Sequence, residues 1–138
     1  MSLVVRYTRG GMMSGRLRKD TDVPGIVSRL LHRDPDALPR SVRVDHALAM
    51  IDEGAVLVDV REPGEWRSGH APRARHIPLG RLEQDARRLA KDTPVVVMCA
   101  SGMRSRGAAA RLRAAGYRAT SLSGGLVAWR AAGGTVTR

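Results

Sequence analysis

Two stretches of this chain are apolar at almost every position, residues 55–60 (AVLVDV) and residues 94–99 (PVVVMC). Strands buried on both faces read as continuous apolar runs, whereas half-exposed strands alternate. Both stretches are therefore predicted as inner strands of a sheet covered on two sides. Shorter apolar runs add weaker strands at residues 41–44, 76–79 and 119–122. Helical spacing fills the gaps. Ala47, Leu48 and Ile51 share a face behind Asp45, a suitable cap, and Gly54 ends that helix. Leu82, Ala86, Leu89 and Ala90 share another face. An Ala-rich segment over about residues 103–115 predicts a longer helix stopped by Gly116, and residues 126–131 predict a last one. Strand and helix alternate throughout, which predicts an α/β domain with a parallel sheet and helices on both faces.

The first 40 residues break this pattern. They hold Gly10, Gly11, Gly15, Pro24, Gly25, Pro35 and Pro39 among scattered charges, with little periodicity. Only Ile26, Val27, Leu30 and Leu31 have the spacing of a short amphipathic helix, which Asp34-Pro35 and Leu38-Pro39 then interrupt. Residues 1–40 are thus expected to be an extension, flexible early, and residues 41–138 the domain proper. Met12 or Met13 is a candidate for the natural start.

Composition narrows the function classes. The 138 residues are 43% hydrophobic and 27% charged, which suits one folded domain and excludes a disordered chain. No apolar run approaches the roughly 20 residues that span a bilayer, and no secretory signal opens the chain. The expectation is a cytoplasmic protein with no membrane partner. A net charge of +11 invites a nucleic-acid reading, but the arginines spread from Arg6 to Arg138. Aromatics amount to only 3% and are not interleaved with the basic residues as base-stacking platforms would be. No nucleic-acid partner is expected. The same charge would draw small anions toward a cleft.

One cysteine, Cys99, cannot form an internal disulfide, and four scattered histidines make no zinc constellation with it. A lone cysteine can simply finish a buried strand. Its neighbours argue otherwise. Cys99 stands at the carboxyl end of a predicted strand, the edge where open parallel sheets bind ligands. Ala100, Ser101 and Gly102 keep the following loop small, and Met103, Arg104 and Ser105 open a helix. Such a turn aims several backbone N–H groups and a positive helix end at one point. A sulfur held there should ionise readily, and Arg104 adds a cation nearby. The same cradle can bind an oxyanion, expose a thiolate or stabilise a persulfide anion.

Three segments resemble the rhodanese family in its order and spacing. Residues 56–79 (VLVDVREPGEWRSGHAPRARHIPL) resemble its first signature, residues 95–117 (VVVMCASGMRSRGAAARLRAAGY) its active-site strand, loop and helix, and residues 123–134 (SGGLVAWRAAGG) its closing motif. The resemblance implies a five-stranded parallel sheet and a sulfurtransferase. Cys99 would be the nucleophile that carries sulfur as a persulfide. Ala100, Ser101, Gly102, Met103, Arg104 and Ser105 would bind the donor's anionic end, with Arg61 as a further substrate contact. Asp59, Glu62 and His70 would support the site. The implied donor is thiosulfate or another small anionic sulfur compound, with a thiol or cyanide as acceptor, or a protein persulfide on either side. No metal or organic cofactor is implied. Two alternatives stand beside it. One is a non-enzymatic rhodanese-like binding or regulatory module. The other is a phosphatase or arsenate reductase, whose signature separates Cys from Arg by five residues; here four stand between Cys99 and Arg104.

Overall fold

The computed structural model describes residues 37–138. The expected helix around Ile26 and Leu31, and the candidate starts Met12 and Met13, lie outside the described residues. In chain order the elements are β1 (Ser41–Val42), α1 (Val44–Asp52), β2 (Val56–Asp59), α2 (Pro63–Ser68), β3 (Ala74–His76), α3 (Leu82–Asp85), β4 (Val95–Met98), α4 (Met103–Ala114), β5 (Ala119–Leu122) and α5 (Gly125–Ala131). Short 3₁₀ turns at Leu79–Arg81 and Ala86–Arg88 flank α3.

The five strands form one parallel sheet in the order β1-β5-β4-β2-β3. The most apolar strand sits at its centre. All four side chains of β4 are fully buried, and each such burial is worth roughly 1.5–3 kcal/mol. Successive residues of a strand face opposite ways, so β4 feeds two cores. Val95, Val97 and Cys99 pack on one face with Leu82, Leu89, Ala108, Ala109 and Leu112. Val96 and Met98 pack on the other with Ala47, Met50, Ile51, Leu126 and Trp129. Helices on both faces follow from this two-sided burial. Helix α4 shows the matching stripe, its buried residues being Ser105, Ala108, Ala109 and Leu112.

Several boundaries differ from the sequence expectation. Helix α1 starts at Val44 with Arg43 as its N-cap residue, so Asp45 lies inside the first turn instead of capping it. There its carboxylate faces the positive end of the helix, which is still favourable. The second short strand is Ala74–His76, not residues 76–79. Pro78 and Gly80 pull the chain into a 3₁₀ turn immediately afterwards. The expected helix over residues 82–90 is a single α-helical turn continued by a 3₁₀ turn, which buries Leu82, Ala86 and Leu89 all the same.

The closing segment lies directly beneath β4. Gly125 has φ +55°, and a Cβ built there would press on Cys99 O and lie 2.7 Å from Ala100 C. Only glycine leaves room for that approach. Gly125→Ala should therefore lower unfolding free energy by roughly 1–3 kcal/mol through strain and backbone displacement. Urea denaturation reads this directly. An unchanged midpoint would contradict the close packing.

Candidate active site

Cys99 follows β4 and is 1% exposed. Its Sγ accepts a hydrogen bond from the Gly102 N–H at 3.1 Å and a longer one from the Ser105 N–H at 3.4 Å. Ser105 Oγ lies 3.6 Å from the sulfur and accepts from the neutral thiol. That hydroxyl also reaches Ser121 Oγ on β5 at 2.8 Å and donates to Gly102 O at 3.2 Å. Gly102 is the N-cap residue of α4, with φ +106°, a conformation that side chains other than glycine's rarely allow. The loop therefore ends as a helix N-terminus whose free N–H groups and dipole face the sulfur.

Two effects compete over the thiol. Burial is the largest single influence and pushes its pKa up. The Ser105 hydroxyl and the N–H groups of Ser105, Gly102 and Ser101 together outweigh burial, so the Cys99 pKa lies below its ordinary value. On ionisation the Ser105 proton can turn from Gly102 O to the sulfur. Ser121 is then placed to donate to Ser105 Oγ and support that rotation.

The loop's shape is imposed from below. The N–H groups of Leu126 and Val127, at the start of α5, donate to Cys99 O at 2.8 Å and Ala100 O at 3.1 Å. Across a trans peptide the carbonyl and the next N–H point opposite ways. Pinning Ala100 O downward therefore turns the Ser101 N–H toward the sulfur.

The neighbouring strand end supplies a second network. Asp59 is fully buried and pairs with Arg61, whose Nη2 stands 2.8 Å from Oδ2 and whose Nε lies 3.0 Å from both carboxylate oxygens. Arg61 also donates to Glu65 O at 3.2 Å and Gly69 O at 2.8 Å. Its guanidinium is thus buried. Arg61, expected as a substrate contact, has each guanidinium nitrogen hydrogen-bonded within the fold. Glu62 caps α2, and its N–H donates to Glu65 Oε1 at 3.0 Å.

Arg104 does not stand free beside the sulfur. It forms a two-pronged pair with Glu65, at 2.7 and 2.9 Å, which cancels much of its charge. The hydrogen bond from Arg104 holds the Glu65 carboxyl down to about 2. The loop's backbone, more than the Arg104 cation, makes the cradle electropositive. Glu65 was not singled out in the sequence, although Glu62-Pro63-Gly64-Glu65 carries a signal: a capping residue, Pro at the first helical position and Glu three residues on. His70 stacks on Trp66 at 3.5 Å and its Nδ1 lies 2.8 Å from Trp66 O. Its backbone is bonded to Thr137 in both directions. Among the described residues no hydrogen bond joins His70 to Cys99, so it belongs to the turn. Met103 is 79% exposed.

Residues 43–132 match the family model of the rhodanese-like domain. The chain belongs to the rhodanese-like domain family. Solved structures agree with this. A rhodanese-related protein from Thermoplasma volcanium superposes with a TM-score of 0.66 at 29% identity, covering 72% of this chain and 98% of its own. The reduced CoADR-RHD of Bacillus anthracis gives a TM-score of 0.60 at 29% identity. That match covers 64% of this chain but spans only 16% of the larger protein. A Rhodopseudomonas palustris protein of unknown function, described as a possible tyrosine phosphatase, gives 0.63 at 30% identity, covering 71% of this chain and 84% of its own. The five-stranded parallel sheet of this rhodanese-like domain is the fold its sequence predicts. Among the described residues no helix is long and apolar enough to cross a membrane, and no group of three or more His, Cys, Asp or Glu is arranged to hold a metal.

The competition at Cys99 sets a pH dependence. Alkylation by iodoacetamide should follow the thiolate, with a midpoint below that of ordinary cysteine. Ser105→Ala removes a donor to the anion and should move the midpoint upward, and Ser121→Ala should move it the same way by less. A midpoint at or above the ordinary value, unmoved by Ser105→Ala, would contradict this account of the site.

Proposed function

We propose that this rhodanese-like domain is a sulfurtransferase that carries sulfane sulfur as a persulfide on Cys99. The observation that supports this best is the convergence of the Gly102 and Ser105 N–H groups on Sγ, at 3.1 and 3.4 Å. Such a cradle favours a sulfur anion at the end of the cysteine side chain and supplies the electrostatic stabilisation that transfer needs.

With thiosulfate as donor, the Cys99 thiolate attacks the outer, sulfane sulfur. A Cys99 S–S bond forms, the bond between that sulfur and the sulfonate sulfur breaks, and sulfite leaves with the electron pair. The terminal sulfur of the persulfide then bears the negative charge, within reach of the loop's N–H groups. A thiophilic acceptor attacks this terminal sulfur and the Cys99 thiolate departs with its electrons. Cyanide yields thiocyanate; a thiol yields a new persulfide. The same site serves a protein persulfide donor or acceptor, and no cofactor enters either step. Because the chemistry is carried by backbone and Ser105, the engagement of Arg104 by Glu65 does not obstruct it. It does weigh against phosphatase or arsenate chemistry, which asks for an arginine aimed into the cradle.

Thiocyanate formation from thiosulfate and cyanide tests the reading. The native protein should turn over and Cys99→Ser should fall to background while remaining folded. Turnover that survives Cys99→Ser, or an inert native protein that hydrolyses an aryl phosphate through Cys99, would overturn it.

A further inference from the structure

Beside the sulfur cradle lies a second feature that the transfer chemistry does not use. A cleft of about 450 Å³ runs along the outer side of α4, lined by Arg40, Arg106 and Arg113 and reaching the active-site loop at Ser101, Gly102 and Met103. Cys99 does not line it, so the cleft adjoins the active-site loop without containing the nucleophile. Its charges are all of one sign. Arg40, Arg106 and Arg113 line it, and among the described residues no carboxylate does.

These arginines differ from five others in the molecule. Arg61, Arg73, Arg81, Arg104 and Arg111 each pair with an Asp or Glu. Arg113 spends one N–H on Ala119 O at 3.1 Å and has no carboxylate partner among the described residues. Arg40 and Arg106 are exposed, and neither side chain has a hydrogen bond or ion pair with a described residue. Arg106 and Arg113 are seven positions apart on one helix, which sets their charges about 10 Å apart along its axis. The hydroxyl-bearing residues Ser41, Ser101 and Ser123 line the same walls. At the lip stands Met103, the most exposed large apolar side chain among the described residues. Flexible, polarizable methionine is well suited to a contact surface that must adapt to a partner.

We propose that this cleft docks an acidic segment of the protein that delivers sulfur to Cys99 or takes it away. The inference rests on the sulfurtransferase reading and names the class of its partner. Several carboxylates spaced along a polypeptide match the row of arginines, and an apolar side chain matches Met103. The cleft is open and far larger than a thiosulfate-sized anion requires, so a small donor leaves most of it unfilled. A segment seated against Ser101, Gly102 and Met103 brings its own protein's sulfur-bearing group to the mouth of the cradle. Charge complementarity of this kind speeds encounter and fixes orientation more than it adds affinity.

The test uses the full chain and a fluorescein-labelled peptide of alternating Glu and Gly with one central Leu, read by anisotropy at low ionic strength. The double variant R40E/R106E should weaken binding about tenfold or more, since like charges then face each other. The control R87E/R88E makes the same change in net charge on exposed residues outside the cleft, and should leave binding within about twofold of native. Equal loss in both variants would mean attraction by net charge alone, and no loss in either would place the peptide elsewhere; each overturns the proposal. So would displacement of the peptide by inorganic sulfate at micromolar concentration, or equally tight, cleft-dependent binding of single-stranded DNA. Thiocyanate turnover measured on the same proteins separates the two ideas. If native protein binds the peptide through the cleft but makes no thiocyanate, the small-donor reaction fails while the docking stands. If R40E/R106E keeps native turnover and native peptide binding, the docking fails alone.

Discussion

The site depends above all on where α5 begins. Two N–H groups of its first turn, on Leu126 and Val127, hold the carbonyls of Cys99 and Ala100, and this fixes which way the loop's peptide planes face. With the carbonyls turned down into the fold, N–H groups are left to converge on the sulfur. A buried thiol in apolar surroundings would otherwise stay protonated. Gly125 is the steric condition for that contact, and Gly102 is the condition for the loop to close into α4. Two glycines and two backbone hydrogen bonds thus shape the loop that, together with the Ser105 hydroxyl, lowers the pKa of a cysteine that burial alone would make inert.

A chain of side chains joins the loop to the neighbouring strand. Asp59 holds Arg61, Arg61 holds the backbone of Glu65, and the Glu65 carboxylate holds Arg104. The two inner members are buried and the outer pair is half-exposed, so the links differ in weight. Removing one partner of the buried Asp59–Arg61 pair leaves an uncompensated charge, a loss of roughly 3–5 kcal/mol. The half-exposed Glu65–Arg104 pair is worth about 1 kcal/mol or less after solvent screening. Its consequence is electrostatic: Arg104 is spoken for, and the cradle's positive character is that of a helix end and a turn. That suits a soft, singly charged sulfur better than a phosphoryl group that needs an arginine fork.

How much of this the sequence disclosed follows from which forces act locally. The runs AVLVDV and PVVVMC revealed β2 and β4 because burial on two faces leaves an unmistakable pattern. The Cys99 loop was legible because small residues between a strand and a helix have few other uses. Helix α2 was missed since none of its six residues is buried and periodicity has nothing to report there; its capping residues were the available signal. Strand β3 was displaced because Ala74–His76 is an edge strand with its middle residue exposed, while the apolar Ile77 and Leu79 beyond it suggested the register. The positions of Arg61 and Arg104 were beyond a linear reading. Both were expected at the substrate, and both are held by acidic partners. Arg104 reaches a carboxylate 39 positions away, and Arg61 finds its own two residues back, where a bend of the chain after β2 brings them face to face.

Under the proposed function, Cys99 holds the transferred sulfur covalently. Intact-mass measurement after incubation with thiosulfate, followed by alkylation and peptide mapping, tests it without a coupled assay. A gain of one sulfur atom is expected on the peptide containing Cys99, removed by cyanide and absent from Cys99→Ser. A folded native protein that acquires no sulfur there from thiosulfate or a persulfide donor, or a Cys99→Ser protein that acquires as much, would contradict it.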